Sequence, residues 1–277
     1  MPELPEVETV ARGLAAVVTG LRVRRLEIYD CKLAVQPNQL PTNWVVYTIS
    51  RIGKEVVIHL APPRRHNPSR WLCVHLRMTG RLLWSESSDL SNHRHLRARI
   101  TLNRGSILFL DSRRFGTLRI LDNLENGFPR GVDPLSNEFA PGRLSALLEG
   151  SKQQLKPWLI RQDRLVGLGN LYASEICFLA RLSPFRIAGE LNWQEIERLH
   201  QVIRRLLARA IQYCGTTFSD FQDSRGRSGR FRRYLNVYDR EAKQCRRCRT
   251  PIIRKVQQGR STFYCPVCQG LLHPRQK

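Results

Sequence analysis

The sequence predicts an α+β chain in three parts: a β-sandwich closed on one side by an N-terminal helix, a helical middle, and a small four-cysteine zinc finger. Three observations predict it. Residues Leu21 to Leu121 run as short alternating stretches broken by Gly, Pro and Asn; beyond Gly131-Val132-Asp133-Pro134 the apolar period becomes helical; and two C-x-x-C pairs stand near the end. The expected bounds are 2–132, 133–237 and 238–277.

Val7, Val10, Leu14 and Val17 recur at helical spacing behind Pro5, so a helix is expected over Glu6 to Val18. Strands are expected at Glu55 to Leu60, Trp71 to Met78, Arg97 to Leu102, Ser106 to Asp111 and Gly116 to Leu121, with Asn103-Arg104-Gly105 as a hairpin turn. Helical spacing returns at Leu144, Leu147 and Leu148, then from Leu155 to Gln162 and from Leu171 to Ala180. The longest helix opens on a capping box of Asn192 and Glu195, carries Trp193, Ile196, Leu199, Val202, Leu206 and Ile211 on one face, and stops at Gly215. A basic loop, Phe218 to Arg233, follows.

Charge narrows the partner. Lys and Arg number 46 against 23 Asp and Glu, leaving +23 and a pI near 10.8 over 277 residues, which favours a polyanion and nucleic acid above all. From Ser224 to Lys277 there are 15 basic residues against Asp239 and Glu241, so the charge gathers around the cysteines. The longest apolar runs, such as Trp71 to Val74, fall far below the ~20 residues of a membrane span, and no secretory signal opens the chain. A cytoplasmic, nucleoid-associated protein is expected, with no membrane partner. In that reducing compartment the eight cysteines do not read as a disulfide framework. Cys31, Cys73, Cys177 and Cys214 are expected as small core hydrophobes.

The remaining four are different. Cys245 and Cys248 precede Cys265 and Cys268 by sixteen residues, the four-thiolate pattern of one structural zinc ion, in a fragment too short for its own core. No catalytic metal is called for. Between the pairs, Pro251 to Val256 and Ser261 to Tyr264 read as strands around Gln257-Gln258-Gly259-Arg260, which displays Arg260 at a hairpin tip.

At the other end, removal of Met1 would turn Pro2 into a secondary amine beside Glu3 and Glu6. An α-amino group with a pKa of about 7.7–8.0 is roughly one-tenth neutral at pH 7, so a nucleophile is available there with little tuning. By themselves the same residues also read as a proline-rich helix entry with acids suited to the helix dipole.

The whole pattern resembles the bacterial formamidopyrimidine-DNA glycosylase family. The resemblance is carried by MPELPEVETV at the start, HLRMTG (His75 to Gly80), DSRRFG (Asp111 to Gly116), LKPWL (Leu155 to Leu159), GLGNLYASE (Gly167 to Glu175) and RSTFYC (Arg260 to Cys265), in order along nearly the whole chain. The related endonuclease VIII branch shares the Pro-Glu start and the finger, but Leu4-Pro5-Glu6-Val7-Glu8 looks like the formamidopyrimidine branch.

The resemblance implies a helix-two-turn-helix in the middle part and a catalytic role for the first. Pro2 would attack C1′ of a damaged nucleotide and form a Schiff base, with Glu3 as general acid on the sugar ring oxygen. Lys54 would serve β-elimination, and Arg260 δ-elimination and phosphate contact. Met78, Arg113 and Phe115 match a trio that fills the void left by a flipped nucleotide, with the guanidinium favouring cytosine opposite the lesion. Asn170 matches a phosphate-holding asparagine, and His75, His93 and Lys156 match positions near DNA or substrate. The implied partner is double-stranded DNA carrying a damaged base, bound by a monomer. Ser112 departs from the family's proline, the basic cluster is thinned at Ser151-Lys152-Gln153-Gln154, and Ser224 to Arg233 is unusually rich in arginine. Two rival readings stay open: an oxidised-pyrimidine glycosylase, and a zinc-ribbon DNA-binding protein without catalysis.

Overall fold

The computed structural model describes every residue except 34, 36–39, 41, 63–67, 88–93, 126 and 271–277; the expectation for His93 lies outside the described residues. Two compact units emerge, Met1–Phe128 with Ala210–Arg232, and Pro129–Arg209 with Arg233–Lys277.

The first unit opens with helix α1 (Leu4–Val18). It starts two residues before the expected Glu6, because Glu3 and Glu6 close a capping box that supplies acceptors to the free amides of the first turn. Among the described residues eight strands follow: β1 (Val23–Ile28), β2 (Val45–Ile52), β3 (Glu55–Ala61), β4 (Arg70–His75), β5 (Gly80–Ser85), β6 (Leu96–Leu102), β7 (Ser106–Asp111) and β8 (Thr117–Leu121). They form two antiparallel four-stranded sheets, ordered β1-β6-β7-β5 and β2-β3-β4-β8. The expected sandwich is present. Val7, Val10 and Leu14 of α1 share one core with Ile58, Leu72 and Leu118 of one sheet and Leu82, Ile100 and Phe109 of the other. β7 lies inside its sheet and is buried along its whole length, which is why SILFLD reads as an apolar run rather than an alternation.

Asn103-Arg104-Gly105 turns β6 into β7 as its sequence predicts, with Gly105 at φ +67°. β4 ends three residues before the expected Met78. The chain there closes a turn in which the Gly80 amide donates to the Leu76 carbonyl at 2.9 Å, so Arg77 and Met78 leave the sheet. A side chain on Gly80 would stand 2.4 Å from that carbonyl oxygen, so only glycine closes the turn this tightly.

The second unit holds α2 (Pro141–Leu148), α3 (Leu155–Leu159), α4 (Asn170–Leu179) and most of α5 (Trp193–Gln212). α3 stops three residues short of Gln162, whose side chain takes over backbone groups instead: it donates to the Ile160 and Leu168 carbonyls and accepts from the Gly167 amide, all within 2.9 Å. α5 begins with the expected capping box, the Asn192 and Glu195 side chains each accepting the other's amide at 3.0 Å. In α4, Glu175 is fully buried and accepts from the amides of Asn236, Val237 and Tyr238, fastening the segment that leads into the finger. The finger itself is a hairpin of β9 (Ile253–Gln257) and β10 (Arg260–Tyr264). Its turn is the two residues Gln258 and Gly259, both at positive φ, which suits the right-handed twist of a hairpin. Arg260 is therefore the first residue of β10, paired with Gln257, rather than part of the turn. Among the described residues no helix is long and apolar enough to cross a membrane. Of the four isolated cysteines, Cys73 and Cys177 are buried as expected, Cys214 is half-buried, and Cys31 is exposed on the loop after β1.

Candidate functional site

Pro2 and Glu3 are buried at the N-terminus of α1, while Met1 is half exposed. Glu6 holds them. One of its carboxylate oxygens accepts from the Glu3 amide at 2.9 Å and the other from the Thr216 amide at 2.7 Å. A side chain on Gly215 (φ +74°) would stand 2.8 Å from that second oxygen, so the glycine that stops α5 also admits the carboxylate. In the sequence Glu6 reads only as a dipole-compatible acid. The Glu-x-x-Glu spacing of a capping box is the signal for its positioning role.

Lys54 occupies the second place of a two-residue turn between β2 and β3 that Gly53 opens at φ +58°. Arg51 ties this turn to the first helix, its Nε donating to Glu8 at 2.9 Å and its Nη1 to the Gly53 carbonyl at 3.0 Å. Lys54 is thus placed by a buried guanidinium anchored on α1, the helix that follows Pro2 and Glu3. His75, at the end of β4, pairs in register with Glu55 and Thr117. Burial, with the charges of Arg77, Lys54 and Arg119, pushes its imidazole down to about 4. It is neutral at physiological pH, and its Nδ1 accepts from the Arg77 amide at 3.0 Å, holding the left-handed backbone of Arg77 at φ +52°.

That turn presents Met78, which is 41% exposed, and the loop after β7 presents Phe115, which is 52% exposed. The Arg113 guanidinium stacks 4.8 Å from the Phe115 ring. Arg114 between them is held back: it makes a bidentate pair with buried Asp30 at 2.7 and 2.5 Å and brings that carboxyl down to about 2. The predicted trio therefore lies outside the core on two loops of the first unit, with apolar side chains in water that an isolated protein gains nothing by exposing.

In the second unit Lys156 is buried rather than displayed. Its ammonium donates to Asn170 Oδ1 at 2.6 Å, to the Ser261 carbonyl at 3.0 Å and to Thr262 Oγ1 at 2.8 Å, and Asn170 Nδ2 donates to the same Ser261 carbonyl at 2.9 Å. Asn170 stands as the first residue of α4, behind Gly169. Lys156 thus joins α3, the start of α4 and β10 one residue beyond exposed Arg260. Lys156→Met strands these acceptors and is expected to lower stability by on the order of 3 kcal/mol, read from the denaturant midpoint of unfolding.

The four sulfurs of Cys245, Cys248, Cys265 and Cys268 lie within 4.8 Å of one another, Cys248 and Cys265 at 3.3 Å and Cys245 and Cys268 at 3.9 Å. A tetrahedral zinc with bonds of about 2.3 Å sets its sulfurs about 3.8 Å apart, so the set fits the ion. The Arg247 and Cys268 amides each point at a sulfur at 3.4 Å, as second-layer donors to thiolates do.

Residues 1–118 match the formamidopyrimidine-DNA glycosylase N-terminal domain, 130–222 the formamidopyrimidine-DNA glycosylase H2TH domain, and 243–270 the zinc finger found in FPG and IleRS. A formamidopyrimidine-DNA glycosylase of Heliobacterium modesticaldum is 40% identical over 97% of this chain and 100% of its own length. The chain belongs to the formamidopyrimidine-DNA glycosylase family. It is a DNA repair glycosylase for oxidised bases that binds DNA and carries a zinc finger, with zinc in a structural role. Solved structures agree in fold. The family's MutM (Fpg) protein from Thermus thermophilus superposes with a TM-score of 0.84 at 35% identity, covering 97% of this chain and 99% of that one. Lactococcus lactis Fpg, solved as a mutant with Fapy-dG-containing DNA and as the wild type with DNA containing an oxidised pyrimidine, gives 0.85 at 29% identity with the same coverage.

Proposed function

We propose that this glycosylase is bifunctional, excising oxidised purines such as 8-oxoguanine and formamidopyrimidines from duplex DNA and then cutting the abasic strand through a Schiff base on Pro2. The observation that carries the reading is the N-terminus itself: a proline that becomes a secondary amine once Met1 is removed, buried next to a carboxyl group and braced by Glu6. In the proposed sequence Pro2 N attacks C1′, the C1′–base bond breaks, and the base leaves with the bonding pair. Glu3 protonates the ring oxygen so that the sugar opens and the iminium forms. Loss of a proton from C2′ then expels the 3′ phosphate by β-elimination, with Lys54 as the cation assigned to this step, and a second elimination expels the 5′ phosphate, with Arg260 assigned to it. Asn170 is assigned to backbone phosphate, and His75 and His93 to the neighbourhood of the substrate; Lys156 acts through Asn170 and β10. The protein acts as a monomer, in the cytoplasm, and without a catalytic metal.

Met78, Arg113 and Phe115 fill the gap left by the everted nucleotide. A guanidinium stacked on one exposed aromatic ring, with an exposed methionine on a second loop, suits that task, since the wedge replaces lost stacking while the arginine donates to acceptors on the orphaned base. Cytosine presents two adjacent acceptors, O2 and N3, to a guanidinium, whereas adenine sets its N1 acceptor beside the N6 amino donor. The test is excision of 8-oxoguanine opposite cytosine and opposite adenine, and of thymine glycol, by one preparation. The expected order puts 8-oxoguanine opposite cytosine first, by roughly tenfold to hundredfold over adenine, the scale of a base-edge contact. Faster removal of thymine glycol would assign the chain to oxidised pyrimidines.

A further inference from the structure

The two loops that carry the void-filling trio meet on one buried carboxylate. Asp111, the last residue of β7, is 1% exposed. Its Oδ1 accepts from the Thr79 hydroxyl and from the Arg113 amide, the latter at 3.2 Å, and its Oδ2 accepts from the Gly116 amide at 2.7 Å. Thr79 Oγ1 in turn accepts from the Arg113 amide at 3.2 Å. The carboxylate therefore grips both ends of the 112–116 loop and, through Thr79, the turn that presents Met78. Packing allows no alternative at the far end. A side chain on Gly116 would stand 2.5 Å from the Phe109 ring and 3.1 Å from Asp111 Oδ2. Ser112 adds to the dependence, because a proline there would fix φ by itself, whereas a serine leaves the loop to be held by the carboxylate.

We propose that Asp111 is the positioning residue that sets recognition of the base opposite the lesion, by locking Arg113 and Met78 into one arrangement through Thr79. The proposal rests on the void-filling reading above. Asp111→Asn replaces one acceptor with a donor that faces donors, so either the Gly116 end or the Thr79–Arg113 end of the loop comes loose.

The experiment measures kcat/KM for 8-oxoguanine opposite cytosine and opposite adenine in the zinc-loaded full chain. It compares Asp111→Asn, Thr79→Val, Thr79→Ser and Arg113→Ala, with thermal unfolding of each. The expected result is a cytosine-to-adenine ratio that falls by about tenfold in Asp111→Asn and Thr79→Val, the scale of a lost hydrogen bond to a charged group, and stays near wild type in Thr79→Ser, which keeps the hydroxyl. A merely structural role would slow both duplexes equally. An unchanged ratio in Asp111→Asn and Thr79→Val, alongside a collapsed ratio in Arg113→Ala, overturns the proposal. If Asp111→Asn fails to fold, Thr79→Val decides by the same criterion. An unchanged ratio in Arg113→Ala overturns the void-filling reading and this inference with it.

Discussion

Glu3→Gln protein is expected to bind a lesion duplex as tightly as wild type and to open the sugar, and so form the Schiff base and cut the strand, about 10²–10⁴ times more slowly, the range for a lost general acid. The amide keeps the size of the carboxyl and retains an acceptor for the first-turn amide of α1, so the capping box and the seat of Pro2 survive. What it lacks is a proton to give the sugar ring oxygen. Single-turnover strand cleavage and borohydride trapping beside equilibrium duplex binding check the split. A parallel loss of both would make Glu3 a structural cap.

Removing the metal carries the second large effect. Among the described residues the finger's buried apolar groups are Ile252, Phe263, Tyr264, Val237 and the cysteines, packed with Phe178, too small a core to fold alone. Structural zinc supplies roughly 10–16 kcal/mol in comparable fingers at neutral pH. Cys265→Ser, or prolonged chelation of the wild type, is therefore expected to unfold β9 and β10, release Arg260, and take the Ser261 and Thr262 acceptors away from the Lys156 ammonium. Metal content by elemental analysis should fall from one zinc per chain toward zero, with duplex affinity falling in step. Full affinity in the metal-free protein would separate the finger from DNA binding.

Much of this was legible in the sequence because it rests on short-range rules. The cysteine spacing, the Asn192–Glu195 box and the Asn103–Gly105 turn are local, and each stands where its residues predict it. The apolar period placed α1, α4 and α5 within about two residues. The misses come from contacts that the apolar period does not encode, some a few residues away and some far along the chain. β4 ends early because Gly80 closes a turn on Leu76, and α3 ends early because the Gln162 side chain reaches five residues forward to the Gly167 amide. The resemblance puts Lys156 near DNA or substrate, but nothing in LKPWL announces that Asn170, 14 residues on, and β10, more than 100 residues on, would enclose its ammonium. Asp111 and Glu6 are visible as letters of recognised motifs, but their work appears only when Thr79 and Thr216 arrive from elsewhere in the chain.

The nucleophile proposed for this chain is the amine of Pro2. Borohydride reduction during turnover, followed by peptide mapping of the protein–DNA cross-link, tests it most directly. Protein whose terminus is confirmed as Pro2 is predicted to trap on an 8-oxoguanine duplex through residue 2, and protein that retains Met1, whose proline nitrogen is locked in a peptide bond, is predicted to bind the duplex without trapping. Equal trapping by the Met1-bearing form, or a cross-link that maps to Lys54, would place the nucleophile elsewhere.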